Sequence, residues 1–177
     1  MISKISYMFD KLIDFLLNLK DELIPVRIIN EWEKGIQMRG GKFLRVVEPG
    51  IRFKIPFIDH IWTAYTVAQT VDLLPQTLTT KDGKNIVLKG IIRYKVNCPK
   101  KYLMSVNSAK DVLVDTVQGI IKQIIENYTW GSDVELNELI TEKSGPVAEI
   151  WGIKVESVTL VDFGIIRTYR LMSDLKI

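Results

Sequence analysis

The sequence is poor in the side chains that most often build catalytic and metal sites. Its 177 residues contain one cysteine, Cys98, and one histidine, His60. A single cysteine cannot form a disulfide within the chain, so nothing favours an oxidising compartment, and we expect an intracellular protein. A catalytic triad and a zinc site would both have to use the same histidine. The pair Gly40-Gly41 lacks the spacing of a phosphate-binding loop. The sequence therefore predicts a protein that is not an enzyme, with no cofactor and no metal.

Long apolar runs are also missing, so we predict neither a transmembrane helix nor a signal peptide. Residues 2–23 instead carry apolar side chains at alternating steps of three and four. That spacing predicts an amphipathic helix over residues 1–24, which ends before Pro25. Such a helix could lie on a membrane surface, pack on its own domain or pair with another copy. Its predicted membrane-binding residues are Ile2, Ile5, Phe9, Leu12, Leu16, Leu19 and Leu23.

The net charge of +3 is too small to indicate nucleic-acid binding, but the charge is unevenly distributed. Residues 81–110 carry a net charge of +7, and residues 126–162 carry −6. Regions of opposite charge can attract each other within one fold or between copies. If the contact is between copies, we predict an oligomer interface at Lys81, Lys100, Lys101, Glu135, Glu138 and Glu142.

Beyond Pro25 the pattern changes to short extended runs, which predict strands at 26–30, 36–39, 43–47 and 61–73. Gly40-Gly41 predicts a hairpin turn and Pro49-Gly50 a second turn. Residues 86–97 form the clearest strand, because apolar and polar side chains alternate along it. Its predicted buried face consists of Ile86, Leu88, Gly90, Ile92, Tyr94 and Val96.

Helical patterns follow at 99–106, 109–127 and 133–140, and Gly145-Pro146 predicts that helix is interrupted or restarts before Trp151. Residues 153–162 alternate again and predict a closing strand. Strands first, helices later and one returning strand predict an α+β domain with a mainly antiparallel sheet and packed helices.

Four segments in order resemble the SPFH (band 7) family of stomatins, prohibitins and flotillins. They are EKGIQMRGGKFLRVVEPGIRFKIPFID at 33–59, QTLTTKDGKNIVLKGIIRYKVNCPKKYL at 76–103, NSAKDVLVDTVQGIIKQIIENYT at 107–129 and WGIKVESVTLVDF at 151–163. The similarity is strongest to stomatin-like and prohibitin-like members. It implies an SPFH domain over 25–165, preceded by the helix at 1–24 and followed by a short tail at 166–177.

The resemblance implies a scaffold without catalytic residues, which self-assembles on a membrane and organises microdomains or regulates a membrane protein such as a protease or a channel. It also implies that the first half of the domain lies nearest the lipid. The matching apolar positions are Ile55, Phe57, Ile58, Ile61 and Trp62, for which core packing is the alternative.

Two departures from the family refine these expectations. Stomatin-like members usually carry an apolar membrane segment where this chain has an amphipathic helix, so we expect peripheral attachment to the cytoplasmic face of a membrane. The segment 141–150 is shorter than the helix that the family has before its last strand. The alternative function is a soluble oligomeric adaptor whose N-terminal helix packs on its own domain or docks a partner protein.

Overall fold

The computed structural model describes Tyr7, Lys11, residues 24–132 and residues 135–166. Tyr7 and Lys11 are both helical, and the Lys11 Nζ atom lies 5.1 Å from the centre of the Tyr7 ring. The seven membrane-binding residues predicted in the N-terminal helix lie outside the described residues, as does the predicted tail beyond Ile166.

The described chain contains strands in its first half and both strands and helices in its second half, which confirms the α+β class. The first five strands are β1 (Val26–Ile29), β2 (Glu33–Arg39), β3 (Lys42–Val47), β4 (Gly50–Phe53) and β5 (Asp59–Tyr65). The rest are β6 (Gln69–Asp72), β7 (Gln76–Thr79), β8 (Asn85–Val96), α1 (Pro99–Met104), α2 (Ala109–Asn127), α3 (Leu136–Glu149) and β9 (Ile153–Ile165). All of the strand pairs are antiparallel.

The first half consists of a three-stranded sheet in the order β3-β2-β5 and a two-stranded ribbon of β1 and β4. Gly40 and Gly41 have φ angles of 53° and 78° in the turn that joins β2 to β3. Gly50 has a φ angle of 112° at the turn into β4. Side chains with a Cβ rarely adopt these angles, which explains why both predicted turns carry glycine.

The second half is built around β8, which pairs with β6 and β7 along one edge and with β9 along the other. The predicted buried face of β8 is confirmed, since its apolar side chains are all buried. Ile86, Leu88, Ile92 and Tyr94 belong to the main hydrophobic core. The helices α2 and α3 supply the opposing side of that core, chiefly through Leu113, Val117, Ile121, Ile125, Ile140 and Ala148.

Two predicted elements differ from the structure. The run 61–73 is two strands, because the chain turns at 66–68, where the Thr66 N–H donates to the Trp32 carbonyl at 2.9 Å. The prediction that helix is interrupted or restarts at Gly145-Pro146 is wrong on both counts, since α3 is one continuous helix from Leu136 through Pro146 to Glu149. Proline in a helix interior costs roughly 3 kcal/mol. Here Ile140, Ser144 and Ala148 are completely buried, and their packing holds the helix together. The segment before the last strand is therefore helical up to Glu149.

Candidate functional site

A buried carboxylate lies at the centre of the first half of the domain. The Asp59 side chain has no solvent-exposed area. Arg39 donates to it twice, from Nε to Oδ1 at 2.7 Å and from Nη2 to Oδ2 at 2.9 Å. Gln37 Nε2 and the Ile55 N–H also donate to Oδ2, at 2.9 and 3.0 Å. The Arg39 hydrogen bonds, and then the Ile55 N–H, hold the pKa of Asp59 well below its usual range, and so the carboxylate is ionised at neutral pH.

This polar network attaches the ribbon to one face of the sheet. The strand register places Gln37, Arg45 and Asp59 on the same face. Arg45 Nε donates to Gln37 Oε1 at 2.8 Å, and Gln37 Nε2 donates to the carbonyl of Phe53 at 3.2 Å. Because Phe53 belongs to β4 and Ile55 follows it, the end of the ribbon is fixed to the sheet by hydrogen bonds to buried side chains.

The other side of the ribbon is apolar and exposed. Val26 lies opposite Phe53 and Ile28 lies opposite Ile51, so the four side chains share one side, here called the ribbon face. Ile28 is 70% exposed, Ile51 66% and Phe53 71%. Single exposed apolar residues are ordinary, but a group of adjacent ones is typical of a surface that binds a protein, a membrane or a ligand.

The turn that follows β4 presents three more apolar side chains to solvent. Phe57 has a φ angle of 65° and is 60% exposed. A residue other than glycine in the left-handed region costs roughly 1–2 kcal/mol. The turn is held by the N–H groups of Ile58 and Asp59, which donate to the Ile55 carbonyl at 3.3 and 2.9 Å. The structure therefore keeps Phe57 exposed in an unfavourable conformation, a feature that often marks a functional site.

The predicted membrane-binding residues of this half occupy two different faces. Ile55, Phe57 and Ile58 lie in the exposed turn beside the ribbon. Ile61 is half-buried on the sheet face that the ribbon contacts. Trp62 is 59% exposed on the opposite face, because successive residues of a strand alternate.

Sequence reasoning missed Ile28, Ile51 and Phe53. The strands β1 and β4 have only four residues each, VRII and GIRF, which is too short for a convincing alternation. Only the pairing of β1 with β4 shows that these apolar side chains are neighbours.

The six residues predicted at the oligomer interface are all exposed. Lys100 makes a contact within the chain, since its Nζ lies 4.3 Å from the centre of the Phe43 ring. The two oppositely charged regions also meet within the chain, where Arg93 Nε and Lys95 Nζ lie 3.0 and 2.7 Å from the Glu156 carboxylate. Attraction within the fold thus involves Arg93, Lys95 and Glu156, while the six exposed residues remain for a contact between copies.

Two further properties concern the described part of the chain. None of its helices combines the length and the apolar composition needed to cross a bilayer. Within residues 24–132 and 135–166, no three His, Cys, Asp or Glu side chains are placed to hold a metal ion.

Comparison with known proteins gives one family and several relatives. The sequence model of the SPFH domain / Band 7 family matches residues 27–170. An uncharacterized protein of Archaeoglobus fulgidus is 27% identical over 148 residues, which are 79% of this chain and 58% of that protein. The modulator of FtsH protease HflK of Escherichia coli is 33% identical over 101 residues, 57% of this chain and 24% of HflK. The modulator of FtsH protease HflC of the same organism is 32% identical over 89 residues, 46% of this chain and 27% of HflC. The chain thus spans less than two thirds of each of these relatives.

Proposed function

The chain belongs to the SPFH domain / Band 7 family, and from that premise we propose that it is a non-enzymatic scaffold that attaches peripherally to a membrane, self-assembles and regulates a membrane protein. The ribbon face is the observation that carries this proposal. It places Ile28, Ile51 and Phe53 together in solvent, with Phe57 in the adjoining turn. A lipid surface removes such side chains from water and gains about 25 cal/mol for each Å² of apolar area.

The N-terminal helix would reach the membrane beside the ribbon. The Lys54 N–H donates to the Pro25 carbonyl at 2.8 Å, so the chain that follows the predicted helix is attached to the end of β4. An amphipathic helix that lies in the interface buries its apolar side at the level of the headgroups. The helix and the ribbon face would then bind the same surface.

Regulation of a partner and self-assembly each rest on a separate observation. The two relatives from Escherichia coli are named as modulators of the FtsH protease, which favours a membrane-bound protease or a similar membrane protein as the partner. Self-assembly is supported by a second exposed apolar surface, the Trp62 face, formed by Val46 and Trp62 on either side of the buried Ile36. We place the assembly on the cytoplasmic side of the membrane, where it would organise a membrane microdomain.

Flotation of the full chain with lipid vesicles tests membrane attachment. We expect Phe57→Gly and Phe53→Ser each to reduce the floating fraction, because each removes an exposed apolar side chain from the membrane-facing surface. Glycine also relieves the left-handed strain at residue 57, so urea unfolding without vesicles should show no loss of stability for Phe57→Gly. Leu74→Ser is the matched control, since Leu74 is 69% exposed but lies outside the ribbon and its turn.

The double variant Phe9→Asp with Leu16→Asp tests the helix in the same assay, and it should also release the protein from vesicles. If the wild-type chain does not float, membrane attachment is wrong and the soluble adaptor is the better function. If Leu74→Ser lowers flotation as much as Phe53→Ser does, the ribbon face is not the attachment surface.

A further inference from the structure

The ribbon and its turn carry positive charge alone. Residues 24–29 and 50–58 contain Arg27, Arg52 and Lys54 and no aspartate or glutamate. The register places Arg27 directly opposite Arg52 on neighbouring strands, on the side of the ribbon away from the ribbon face. Like charges in directly opposite positions destabilise an antiparallel pair. The arrangement would be relieved by an anion.

No carboxylate of the described residues neutralises either arginine. The Arg52 guanidinium donates to two backbone carbonyls, from Nε to Glu48 at 2.8 Å and from Nη2 to Pro49 at 3.1 Å. The Glu48 carboxylate pairs instead with Lys34 at 2.9 Å. Arg27 is exposed and takes part in none of the ion pairs of the described chain. Arg52 is thus fixed in place with its charge uncompensated, and Arg27 is free to reach a ligand.

The surroundings of Arg27 combine charge with apolar surface. An open concavity at the end of the ribbon is lined by Ile24, Val26, Arg27, Ile28 and Lys54. Val26 and Ile28 of this lining belong to the ribbon face, so Arg27 lies at the edge of that face. A long cationic side chain beside an apolar surface can place its stem against hydrocarbon and its charged end at the level of the headgroups. This combination fits a phospholipid, which offers both a phosphate and acyl chains.

We propose that Arg27, with Arg52 beside it, binds the phosphate groups of anionic phospholipids at the edge of the ribbon, so that a ribbon whose apolar face meets the hydrocarbon attaches to anionic membranes in preference to neutral ones. This inference rests on the proposed membrane attachment and adds the chemistry of the lipid to it. Guanidinium groups suit phosphate because their planar N–H donors match its oxygens in pairs. One basic side chain near an anionic surface should strengthen partitioning by about fivefold.

The test compares the full chain on vesicles of pure phosphatidylcholine and on vesicles that also contain phosphatidylglycerol, at constant salt. We expect tighter binding to the anionic vesicles, and a loss of about fivefold for Arg27→Gln on those vesicles only. Arg27→Lys keeps the charge but not the paired donors, so its loss should be smaller than that of Arg27→Gln. Lys110→Gln removes one exposed charge from α2 and is the matched control. Free inorganic phosphate is added in a parallel series as a competitor.

Equal binding of the wild-type chain to both vesicle types would overturn the preference for anionic lipid while leaving membrane attachment in place. An equal loss for Arg27→Gln and Lys110→Gln would overturn the assignment to the ribbon, since any surface charge would then serve. Complete displacement by inorganic phosphate at constant ionic strength would mean that the arginines bind free phosphate rather than a lipid. Failure to bind either vesicle type would overturn the proposed membrane attachment and this inference together.

Discussion

Asp59 shows how one residue can hold an apolar surface in place from the inside. Its carboxylate accepts hydrogen bonds from Arg39 and Gln37 on the sheet and from the Ile55 N–H beside the ribbon. A buried charge is tolerated only when it is paired and hydrogen-bonded, and both conditions are met here. The apolar turn at Phe57 is thus anchored by a polar group that itself never reaches solvent.

The lowered pKa of Asp59 predicts a pH dependence of stability. Because the folded pKa lies below the unfolded value of about 3.9, the ionised group stabilises the fold at higher pH. That contribution is lost as the pH falls below about 4 toward the folded pKa. Asp59→Asn should lower the urea midpoint at neutral pH, and the difference from wild type should shrink in acid.

Asp82 and Asp115 provide two comparisons that distinguish the effect of Asp59 from that of other carboxylates. Asp82 also has a lowered pKa, because of hydrogen bonds from Thr80 and Lys84, so the Asp59→Asn variant should keep part of the acid sensitivity. Asp115→Asn, a change at an exposed position of α2, should leave the urea midpoint nearly unchanged. A difference between Asp59→Asn and wild type that stays constant from neutral pH into acid would contradict the role of the charge.

The sequence could not identify this network. Asp59 and His60 begin β5, two residues before the strand that the sequence predicts at 61–73. The partners Arg39 and Gln37 lie about twenty residues away, and only the register of β2 with β5 brings them to Asp59. Local patterns predict which residues turn or extend, but they do not predict which distant side chains meet.

The helix α3 covers the outer edge of β9. Thr141 Oγ1 accepts a hydrogen bond from the Val158 N–H at 2.8 Å, and Asn137 Oδ1 accepts one from the Leu160 N–H at 2.9 Å. These donors would otherwise be available to another strand, since an uncovered edge is a template for pairing. Side chains of a helix thus take the place of a neighbouring strand.

Removing these acceptors should destabilise the domain unequally. Thr141→Val keeps the shape of the side chain and leaves a partly buried N–H without a partner, which should cost about 1–3 kcal/mol. Asn137→Ala should cost less, because its hydrogen bond is exposed and water can replace the acceptor. Urea unfolding measures both costs, and hydrogen exchange at Val158 and Leu160 reports the loss of protection. Equal costs for the two variants would mean that burial does not decide the effect.

The helices α2 and α3 show where sequence reasoning succeeds and where it fails. The length of α2 and its buried side were predictable, because its apolar residues recur at helical spacing over nineteen residues. The continuation of α3 past Pro146 was not, because the packing of Ser144 and Ala148 overrides the local penalty of proline. Packing between residues that are distant in the sequence cannot be predicted from the local sequence pattern.

For the whole molecule, the exposed apolar surfaces lie on different sides. The ribbon contacts one face of the β3-β2-β5 sheet, and Trp62 lies on the other. One flat membrane cannot cover both surfaces. We therefore expect the ribbon face to meet lipid and the Trp62 face to meet a neighbouring copy.

Light scattering measures the assembled mass and can tell whether copies meet through the Trp62 face or through oppositely charged residues. Trp62→Ser should lower the assembled mass, with Phe53→Ser as the control that leaves the mass unchanged. Lys100→Glu with Lys101→Glu should also lower it if opposite charges join the copies. High salt should then weaken the wild-type assembly, since the screening length falls to about 3 Å at 1 M. If the protein is a monomer at every salt concentration, with and without vesicles, the proposed self-assembly is wrong.

The pairing of β8 with β9 has a consequence for synthesis on the ribosome. Ile86 at the start of β8 pairs with Ile165 at the end of β9, and Val96 pairs with Ile153. The middle strand of the larger sheet therefore emerges well before the strand that completes it, and its edge stays unpaired while α1, α2 and α3 are translated. Nascent chains with exposed strand edges are prone to aggregation. The domain should thus depend on chaperones most strongly during the interval between the translation of Val96 and that of Ile165.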